Sequence, residues 1–310
     1  MGTVLITGSN GFIGSHVASY FKDKGWNVVG LGRKTDASNP EVVDDYISCC
    51  LGNASATDVL ESELGNMSID AIVHLAADMR KEPYAEEVII ANCVGTQQLL
   101  EFAEKHQVSV FLQLSSLPVI GVPKIHPITE DHPVMPQTMY HITKCMNELQ
   151  LQYAMQHYQI RTAWFRISAP LGIGMNENTI FPTFIKNALL GIDLSVYGEG
   201  SRKQNYIYVK DIARALYMAT IIQSAQGGYN LTGNLLISNL DLAKRCIGLL
   251  DSTSDIKFMP FPDNSDGQVW DADMSRSSTD FGFEPHATLD EIIYKFAQYF
   301  RKEKGLHSEK

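Results

Sequence analysis

The sequence has no apolar run near the roughly 20 residues that a membrane-spanning helix needs. Its first residues, 1–3, lead directly into an apolar strand, which is not the pattern of a signal peptide. It has only five cysteines, an odd and scattered set without Cys-x-x-Cys spacing, which argues against a disulfide framework and a zinc site. We therefore expect a soluble, cytoplasmic protein with no bound metal.

Positive charge is also scarce, with 25 Lys+Arg against 35 Asp+Glu and a formal net charge of −10. This balance argues against duplex nucleic acid and anionic membranes as partners. Apolar residues make up 45% and charged residues 19% of the 310 residues, which is ordinary globular composition and excludes a disordered chain. One large domain or two interleaved domains are expected.

The first half of the chain alternates short apolar strands with longer helical patterns. Helices are predicted at 12–24, 85–105 and 137–157. Strands are predicted at 4–7, 27–31, 46–51, 71–75, 110–114 and 161–167. Continuous apolar strands separated by helices indicate an α/β fold with a doubly wound parallel sheet that is covered on both faces.

After Pro170 the alternation becomes irregular. Short strands are predicted near 196 and 207, and helices at 181–190, 211–222, 239–250 and 289–301. We interpret this part as a smaller C-terminal mixed α/β cap combined with late returns to the sheet.

Three glycines, Gly8, Gly11 and Gly14, lie between the first strand and the first helix. A dinucleotide pyrophosphate needs a tight turn there, close backbone approach, and a helix N-terminus that offers N–H groups. Taken alone, three glycines in seven residues are equally consistent with an ordinary loop. Their place after the first strand of an alternating α/β chain predicts a Rossmann-type dinucleotide site.

The residues after the second strand bear on the choice of cofactor. An acidic residue there normally binds the adenosine ribose 2′-hydroxyl, but this chain has Gly32, followed by Arg33 and Lys34. Without a carboxylate, a 2′-phosphate is not repelled, and a guanidinium can bind it. The cofactor is therefore predicted as NAD(P), with a preference for NADP; the alternative is that Arg33 and Lys34 form a solvated turn, and NAD is not excluded.

Three Tyr-x-x-x-Lys pairs occur in the chain, so the spacing alone is not informative. Only Tyr140 and Lys144 open a helix after the fifth strand, which ends in Ser115-Ser116. A base that takes a hydroxyl proton during hydride transfer needs a pKa below the value near 10 of free tyrosine. A nearby ammonium and a cationic nicotinamide would lower the tyrosine pKa, and the Ser116 hydroxyl can hold the substrate oxygen. The alternative for Ser116 is a residue of a strand-end turn.

Several further motifs extend this pattern over nearly the whole chain. They are Thr7-Gly8-Ser9-Asn10-Gly11-Phe12-Ile13-Gly14, His74-Leu75-Ala76-Ala77, Asn92-Cys93-Val94-Gly95-Thr96, Ser115-Ser116-Leu117-Pro118-Val119-Ile120-Gly121, Val196-Tyr197-Gly198-Glu199-Gly200, Tyr206-Ile207-Tyr208-Val209-Lys210-Asp211 and Tyr229-Asn230-Leu231. With these motifs the sequence resembles the extended short-chain dehydrogenase/reductase superfamily, the NAD(P)-dependent nucleotide-sugar epimerases, dehydratases and reductases.

The resemblance implies a role for each group of residues. Residues 1–167, with 205–232 returning to the sheet, would form the dinucleotide-binding domain, and 168–204 with 233–310 the substrate-binding domain. The implied catalytic residues are Ser116, Tyr140 and Lys144. The implied cofactor-binding residues are Gly8, Asn10, Gly11, Phe12, Ile13, Gly14, Gly32, Arg33, Lys34, Leu51, Leu75, Ala76, Ala77, Asn92, Leu114, Tyr140 and Lys144. The implied substrate-binding residues are Ser116, Thr179, Phe181, Val196, Tyr197 and Arg202. The helices at 85–105 and 137–157 would form a homodimer interface.

The chain also departs from the family pattern. Sugar-nucleotide 4,6-dehydratases carry an Asp-Glu pair directly after the catalytic hydroxyl residue, where this chain has Leu117-Pro118, which transfer no proton. An arginine that meets the nucleotide diphosphate in relatives corresponds to Gln204, with Arg202 and Lys203 as possible substitutes. The family's usual asparagine after strand six is Ala169.

Three functions follow as expectations. The first is a 4-epimerase of a UDP-hexose or UDP-N-acetylhexosamine, working through a transient 4-keto sugar. The second is an NADPH-dependent reductase of a 4-keto sugar or another carbonyl compound. The third is a non-catalytic NAD(P)-sensing regulator, against which Ser116, Tyr140 and Lys144 argue. The sequence does not determine the sugar or the nucleoside.

Overall fold

A computed structural model describes residues 2–80, 82 and 85–305 of the chain. The strands are β1 (Thr3–Thr7), β2 (Asn27–Gly32), β3 (Asp45–Ser48), β4 (Ala71–His74), β5 (Val110–Ser116), β6 (Arg161–Ile167), β7 (Ala169–Leu171), β8 (Leu194–Tyr197), β9 (Lys203–Tyr208), β10 (Gly227–Leu231), β11 (Leu236–Ser238), β12 (Ile256–Met259) and β13 (Val269–Trp270). The helices are α1 (Phe12–Asp23), α2 (Ala56–Leu64), α3 (Glu86–Ile89), α4 (Gly95–Lys105), α5 (Met139–His157), α6 (Ile180–Leu190), α7 (Val209–Ile221), α8 (Asn239–Leu249), α9 (Ser275–Phe281) and α10 (Leu289–Lys304).

Seven strands form the central parallel sheet, in the order β10-β6-β5-β4-β1-β2-β3. The strand order reverses at β1, whose neighbours are β2 on one side and β4 on the other. Ligands of open α/β sheets bind at such a switch point, beyond the carboxyl ends of the strands. The predicted doubly wound parallel sheet is confirmed.

Alternation along the strands explains why helices cover both faces of this sheet. In β1, Val4 and Ile6 pack in the core under α1 and α7, whereas Leu5 packs in the core under α2, α4 and α5. Successive side chains of a strand point to opposite faces, so a continuous apolar strand supplies two cores. The sheet is therefore buried on both sides, as parallel sheets require.

The smaller part of the molecule has its own sheets and core. Strand β9 lies between β11 and β13 and also pairs with β7, and β8 pairs with β12. Of the predicted returning segment 205–232, α7 packs on α1 and β10 joins the large sheet beside β6, whereas residues 205–208 belong to β9 of the small sheet. The division into a dinucleotide-binding and a substrate-binding domain remains our proposal.

Several predicted elements differ in their bounds from the observed ones, among them the third strand and the helix predicted at 85–105. The third strand ends at Ser48 rather than at residue 51. The helix predicted at 85–105 consists of α3, a π-helical turn at Ile90–Val94, and α4. The carbonyl of Asn92, inside this turn, accepts hydrogen bonds from Thr96 Oγ1 at 2.6 Å and Asn147 Nδ2 at 2.9 Å. Side chains inserted in this way disturb the regular ladder of helix hydrogen bonds.

Within the described part of the chain, no helix is long and apolar enough to cross a membrane. The same residues bring together no group of three or more potential metal ligands.

Candidate active site

The glycine turn between β1 and α1 is a tight backbone cradle. Gly8 has φ +70°, its N–H donates to the carbonyl of Leu31 at 2.7 Å, and its own carbonyl accepts from Gly11 N at 2.8 Å. A Cβ added at Gly14 would lie 2.0 Å from the Gly8 oxygen, so only glycine fits. No side chain caps the start of α1, which leaves the first N–H groups after Gly11 available to an anion. This geometry fits a dinucleotide pyrophosphate.

A buried hydrogen-bond chain holds the end of β4 beside this turn. Thr7 Oγ1 accepts from the backbone N–H of Ala76 at 3.1 Å and lies 2.6 Å from His74 Nδ1. On the other side of the ring, His74 Nε2 lies 3.1 Å from Thr96 Oγ1. Burial lowers the pKa of His74 to about 3, so the ring is neutral and links donors to acceptors. The predicted cofactor residues Leu75, Ala76 and Ala77 follow directly and are half-buried.

Asn92 is predicted to bind the cofactor, and this stays a prediction, because its side chain is engaged within the protein. Asn92 Oδ1 accepts from the Asp78 N–H at 2.7 Å, and Nδ2 donates to the Asp78 carbonyl at 3.0 Å and to Thr143 Oγ1 at 2.9 Å. These bonds use both amide hydrogens. Asn92 is buried and ties the segment after β4 to α5, so it acts on the site by positioning other residues.

The side chain of Asn10, also predicted to bind the cofactor, likewise forms hydrogen bonds within the protein. Its Nδ2 donates to the carbonyl of Asp36 at 2.9 Å, and its Oδ1 accepts from the Ser38 N–H at 2.6 Å. The side chain therefore closes the loop that follows β2 onto the glycine turn. Arg33 and Lys34 are exposed on that loop.

Tyr140 and Lys144 come together at the carboxyl end of β5. Lys144 is buried, and its Nζ donates to the carbonyl of Leu114 at 2.9 Å. The same Nζ lies 5.7 Å from the centroid of the Tyr140 ring. Burial lowers the pKa of Lys144 to about 8. Helix α5 starts one residue before Tyr140. The hydroxyl of Thr138, the residue that precedes the helix, accepts a hydrogen bond from the His141 N–H and caps it.

In the protein without a dinucleotide the surroundings of Tyr140 do not lower its pKa, and the lowering expected with a bound nicotinamide stays a prediction. Burial raises the pKa of Tyr140 to about 12, because removal from water penalises the phenolate. Lys144 compensates little, since its own ammonium is directed at the Leu114 carbonyl and loses its proton more easily than an exposed lysine. A lowered tyrosine pKa would thus depend on the positive charge that a bound nicotinamide supplies.

Ser116 ends β5 and precedes a 3₁₀ turn at Leu117–Ile120. Leu117 is buried and cannot act on a proton. The neighbouring Ser115 points to the opposite face of the strand, where its Oγ donates to Glu148 Oε1 at 2.6 Å. Glu148 in turn pairs with Arg166 at 2.7 Å.

Sequence reasoning missed Glu148 and Arg166 as a buried pair behind the site. The position of Glu148 in the sequence could have indicated its burial. Glu148 lies one helical turn after Lys144 and therefore on the same, buried face of α5.

The predicted substrate residues separate into two groups. Phe181 and Val196 are fully buried in the core of the smaller part, where Phe181 packs edge-on against Phe296 at 5.3 Å between centroids. Their side chains pack within this core, and their predicted role in substrate binding stays a prediction. Two predicted cofactor residues are also engaged within the protein. The Leu51 side chain packs in the core under α2, α4 and α5, and the Leu114 carbonyl accepts a hydrogen bond from Lys144 Nζ.

The other substrate candidates are accessible. Thr179 lies at the start of α6 and its Oγ1 donates to the Asn176 carbonyl at 3.0 Å. Tyr197 is exposed. Arg202 is half-buried, and its Nη2 donates to Gln204 Oε1 at 3.1 Å, which places a guanidinium beside the position where relatives carry an arginine.

Comparisons with known proteins agree with this geometry. UDP-glucuronic acid decarboxylase 1 of Danio rerio is 28% identical over 315 residues, covering 97% of this chain and 73% of the relative. UDP-glucose 4-epimerase from Thermotoga maritima, solved with UDP-glucose, superposes with a TM-score of 0.85 at 22% identity, covering 97% of this chain and 99% of the other. dTDP-glucose 4,6-dehydratase from Bacillus anthracis, solved with NAD, gives a TM-score of 0.82 at 23% identity, covering 99% of each chain. These two structural likenesses show the fold.

The family model described as "NAD dependent epimerase/dehydratase family" matches residues 4–231. That span is most of the chain, and it includes the glycine turn, Ser116, Tyr140 and Lys144. The resemblance to extended short-chain dehydrogenase/reductase enzymes is therefore confirmed, and the chain belongs to the NAD-dependent epimerase/dehydratase family.

Proposed function

We propose that this enzyme is an NAD(P)-dependent nucleotide-sugar 4-epimerase acting on a UDP-hexose or UDP-N-acetylhexosamine. The carrying observation is the end of β5, where Lys144, beside the Tyr140 ring, binds the carbonyl of Leu114 two residues before Ser116, and no acid or base follows the serine. Leu117 and Pro118 cannot protonate a leaving hydroxyl. Ser116, Tyr140 and Lys144 therefore support hydride chemistry without elimination of water. The likeness to the Thermotoga maritima epimerase also supports the proposed epimerase activity.

The residues divide the work of the reaction. Tyr140 takes the proton of the sugar 4-hydroxyl, while Ser116 holds the oxygen by a hydrogen bond. When bound, the dinucleotide accepts the hydride from C4 and later supplies it back. The 4-keto sugar turns over in the site, so that the hydride returns to its other face and Tyr140 gives the proton back. The products have the same oxidation state as the substrates, and no external reductant is consumed.

The test is incubation of the purified protein with UDP-glucose, UDP-galactose and their N-acetyl forms, with product separation by chromatography. Interconversion of either pair is the expected result. Absence of interconversion for all four sugars, in protein that holds NAD(P), would reject this proposal.

A second candidate is an NADPH-dependent reductase of a 4-keto sugar or another carbonyl compound. It is favoured by Gly32 and by the exposed Arg33 and Lys34, because net reduction commonly draws on NADPH. An epimerase retains its dinucleotide through turnover, whereas a reductase exchanges it. Mass spectrometry of the protein as purified, followed by exchange with labelled NADP, separates the two candidates.

We also propose that the enzyme is a homodimer. Four apolar side chains follow each other along α5 at helical spacing and are exposed in the single chain: Ile142, Met146, Leu149 and Tyr153. Met146, Leu149 and Tyr153 line a groove of about 420 Å³ between α4 and α5, which Leu100 and Tyr158 also line. Such an apolar stripe on a long helix is typical of an interface, and a second copy presents the same stripe.

Replacing Leu149 with aspartate is expected to give a monomer, because Leu149 is 65% exposed at the centre of the stripe and a carboxylate there would be desolvated in the dimer. Sedimentation should show the wild type at twice the 34.5 kDa chain mass and L149D at the chain mass. Phe258→Asp, at an equally exposed apolar residue on β12, is the matched control and should leave the dimer intact. A wild-type monomer would contradict the proposal.

A further inference from the structure

Two glycines of β2 leave room for a tyrosine of β3. Gly30 and Gly32 lie on the same face of the strand, and Gly30 pairs in register with Tyr46. A Cβ added at Gly30 would lie 3.0 Å from Tyr46 Cδ2, and one added at Gly32 would lie 2.7 Å from Tyr46 Oη. The phenol therefore crosses both glycines, and its oxygen occupies the place where a side chain of residue 32 would begin.

The hydrogen bonds of this phenol leave one proton to donate. Asn10 Nδ2 donates to Tyr46 Oη at 2.8 Å, so the phenol oxygen accepts from the glycine turn. The proton of the hydroxyl is not used in this bond. Burial, followed by the negative charge of Asp36, raises the pKa of Tyr46, so the hydroxyl stays protonated at neutral pH.

The surrounding charges favour an anion at this point. Arg33 and Lys34 are exposed on the loop that continues from Gly32. The two nearby acids are engaged by other groups, since Asp36 accepts from Thr35 Oγ1 at 2.9 Å and Asp78 pairs with Arg80 at 2.8 Å. The position that carries a ribose-binding carboxylate in many Rossmann folds is thus held here by a neutral donor, and the loop that continues from Gly32 carries Arg33 and Lys34.

We propose that Tyr46 determines which adenosine 2′ substituent the enzyme accepts: its hydroxyl donates to a 2′-phosphate oxygen, and its ring excludes an acidic side chain from position 32. This rests on the dinucleotide binding of the proposed function. A carboxylate accepts from a 2′-hydroxyl and repels a phosphate, whereas a protonated phenol donates to a phosphate oxygen, and a hydrogen bond to a charged group is the stronger kind.

The first test measures dissociation constants of NADP and NAD for the wild type, Tyr46→Phe and the control Tyr294→Phe, which removes a half-exposed phenol from α10. We expect Y46F to weaken NADP binding by about 10- to 100-fold and NAD binding by less than about fivefold. Y294F should change neither constant. Equal loss for both dinucleotides in Y46F, or wild-type preference for NAD, would overturn the proposal.

The second test addresses the steric exclusion. Gly32→Asp alone places its side chain against Tyr46 Oη and should lower the thermal midpoint of the protein. In combination with Tyr46→Ala the aspartate has room, and the double variant should regain thermal stability relative to G32D and bind NAD more tightly than NADP. If G32D alone is as stable as the wild type and reverses the preference, Tyr46 excludes nothing and the proposal is wrong.

These readouts are separate from the epimerase assay. If no sugar is interconverted but Y46F changes the ratio of NADP to NAD affinity as expected, only the epimerase proposal is rejected. Normal interconversion with an unchanged ratio in Y46F would remove only the role of Tyr46.

Discussion

Replacing Tyr140 with phenylalanine is expected to reduce kcat for sugar interconversion by about 10²- to 10⁴-fold, the usual contribution of a positioned general acid–base group. The variant keeps the aromatic ring that faces Lys144 Nζ at 5.7 Å, so packing at the start of α5 is retained. It loses only the oxygen that takes and returns the 4-hydroxyl proton. Steady-state kinetics and the thermal midpoint should be measured on the same preparation, and the midpoint should stay near that of the wild type.

The chain offers a closely matched control for this variant. Tyr20 lies four residues before Lys24, whose Nζ is 5.4 Å from the Tyr20 ring centroid, nearly the arrangement of Tyr140 and Lys144. This second pair lies at the end of α1, remote from the carboxyl ends of the strands. Tyr20→Phe should therefore leave kcat within about twofold. Wild-type kcat in Y140F would exclude Tyr140 as the base.

The fold was predictable where local pattern and burial agree. Strand β6 is predicted at 161–167 and has those bounds, because its β-branched and aromatic residues at 162, 164, 165 and 167 favour a strand, and it lies inside the sheet between β5 and β10. Helix α2 was not predicted, although Ala56, Leu60 and Leu64 repeat at helical spacing. The helix has only nine residues, some of them acidic. It is stabilised because Ala56, Leu60 and Leu64 are buried where α2 packs against α4.

The candidate site was predictable to the extent that its geometry is local. The spacing of Gly8 and Gly14 follows from their close approach within the turn, and that of Tyr140 and Lys144 from one turn of α5. Tyr46 could not be found in this way, because its meeting with Gly32 depends on the register of β3 against β2. The substrate role predicted for Phe181 rests on its position in the sequence, which does not reveal that its side chain is buried in the core.

Behind the candidate active site, one buried ion pair connects three elements. Glu148 on α5 accepts from Arg166 of β6 through Nε at 3.0 Å and Nη2 at 2.7 Å, and from Ser115 Oγ of β5 at 2.6 Å. Arg166 Nη1 also donates to the carbonyl of Glu130 at 2.9 Å. Both partners of the pair are more than nine-tenths buried, so their charges are compensated by each other and by these hydrogen bonds rather than by water.

Replacing Arg166 with methionine is expected to reduce the free energy of unfolding by about 3–5 kcal/mol, the usual cost of leaving one partner of a buried ion pair alone. Urea denaturation measures the loss, and Arg245→Met is the matched control. Arg245 pairs with Asp290 at the surface, where water replaces the lost partner, so that variant should lose less than about 1 kcal/mol. The double variant Arg166→Met with Glu148→Leu removes the stranded carboxylate and should recover part of the loss. Equal losses in R166M and R245M would mean that the Glu148–Arg166 pair is not isolated from water, and that the end of β5 is held in place by packing alone.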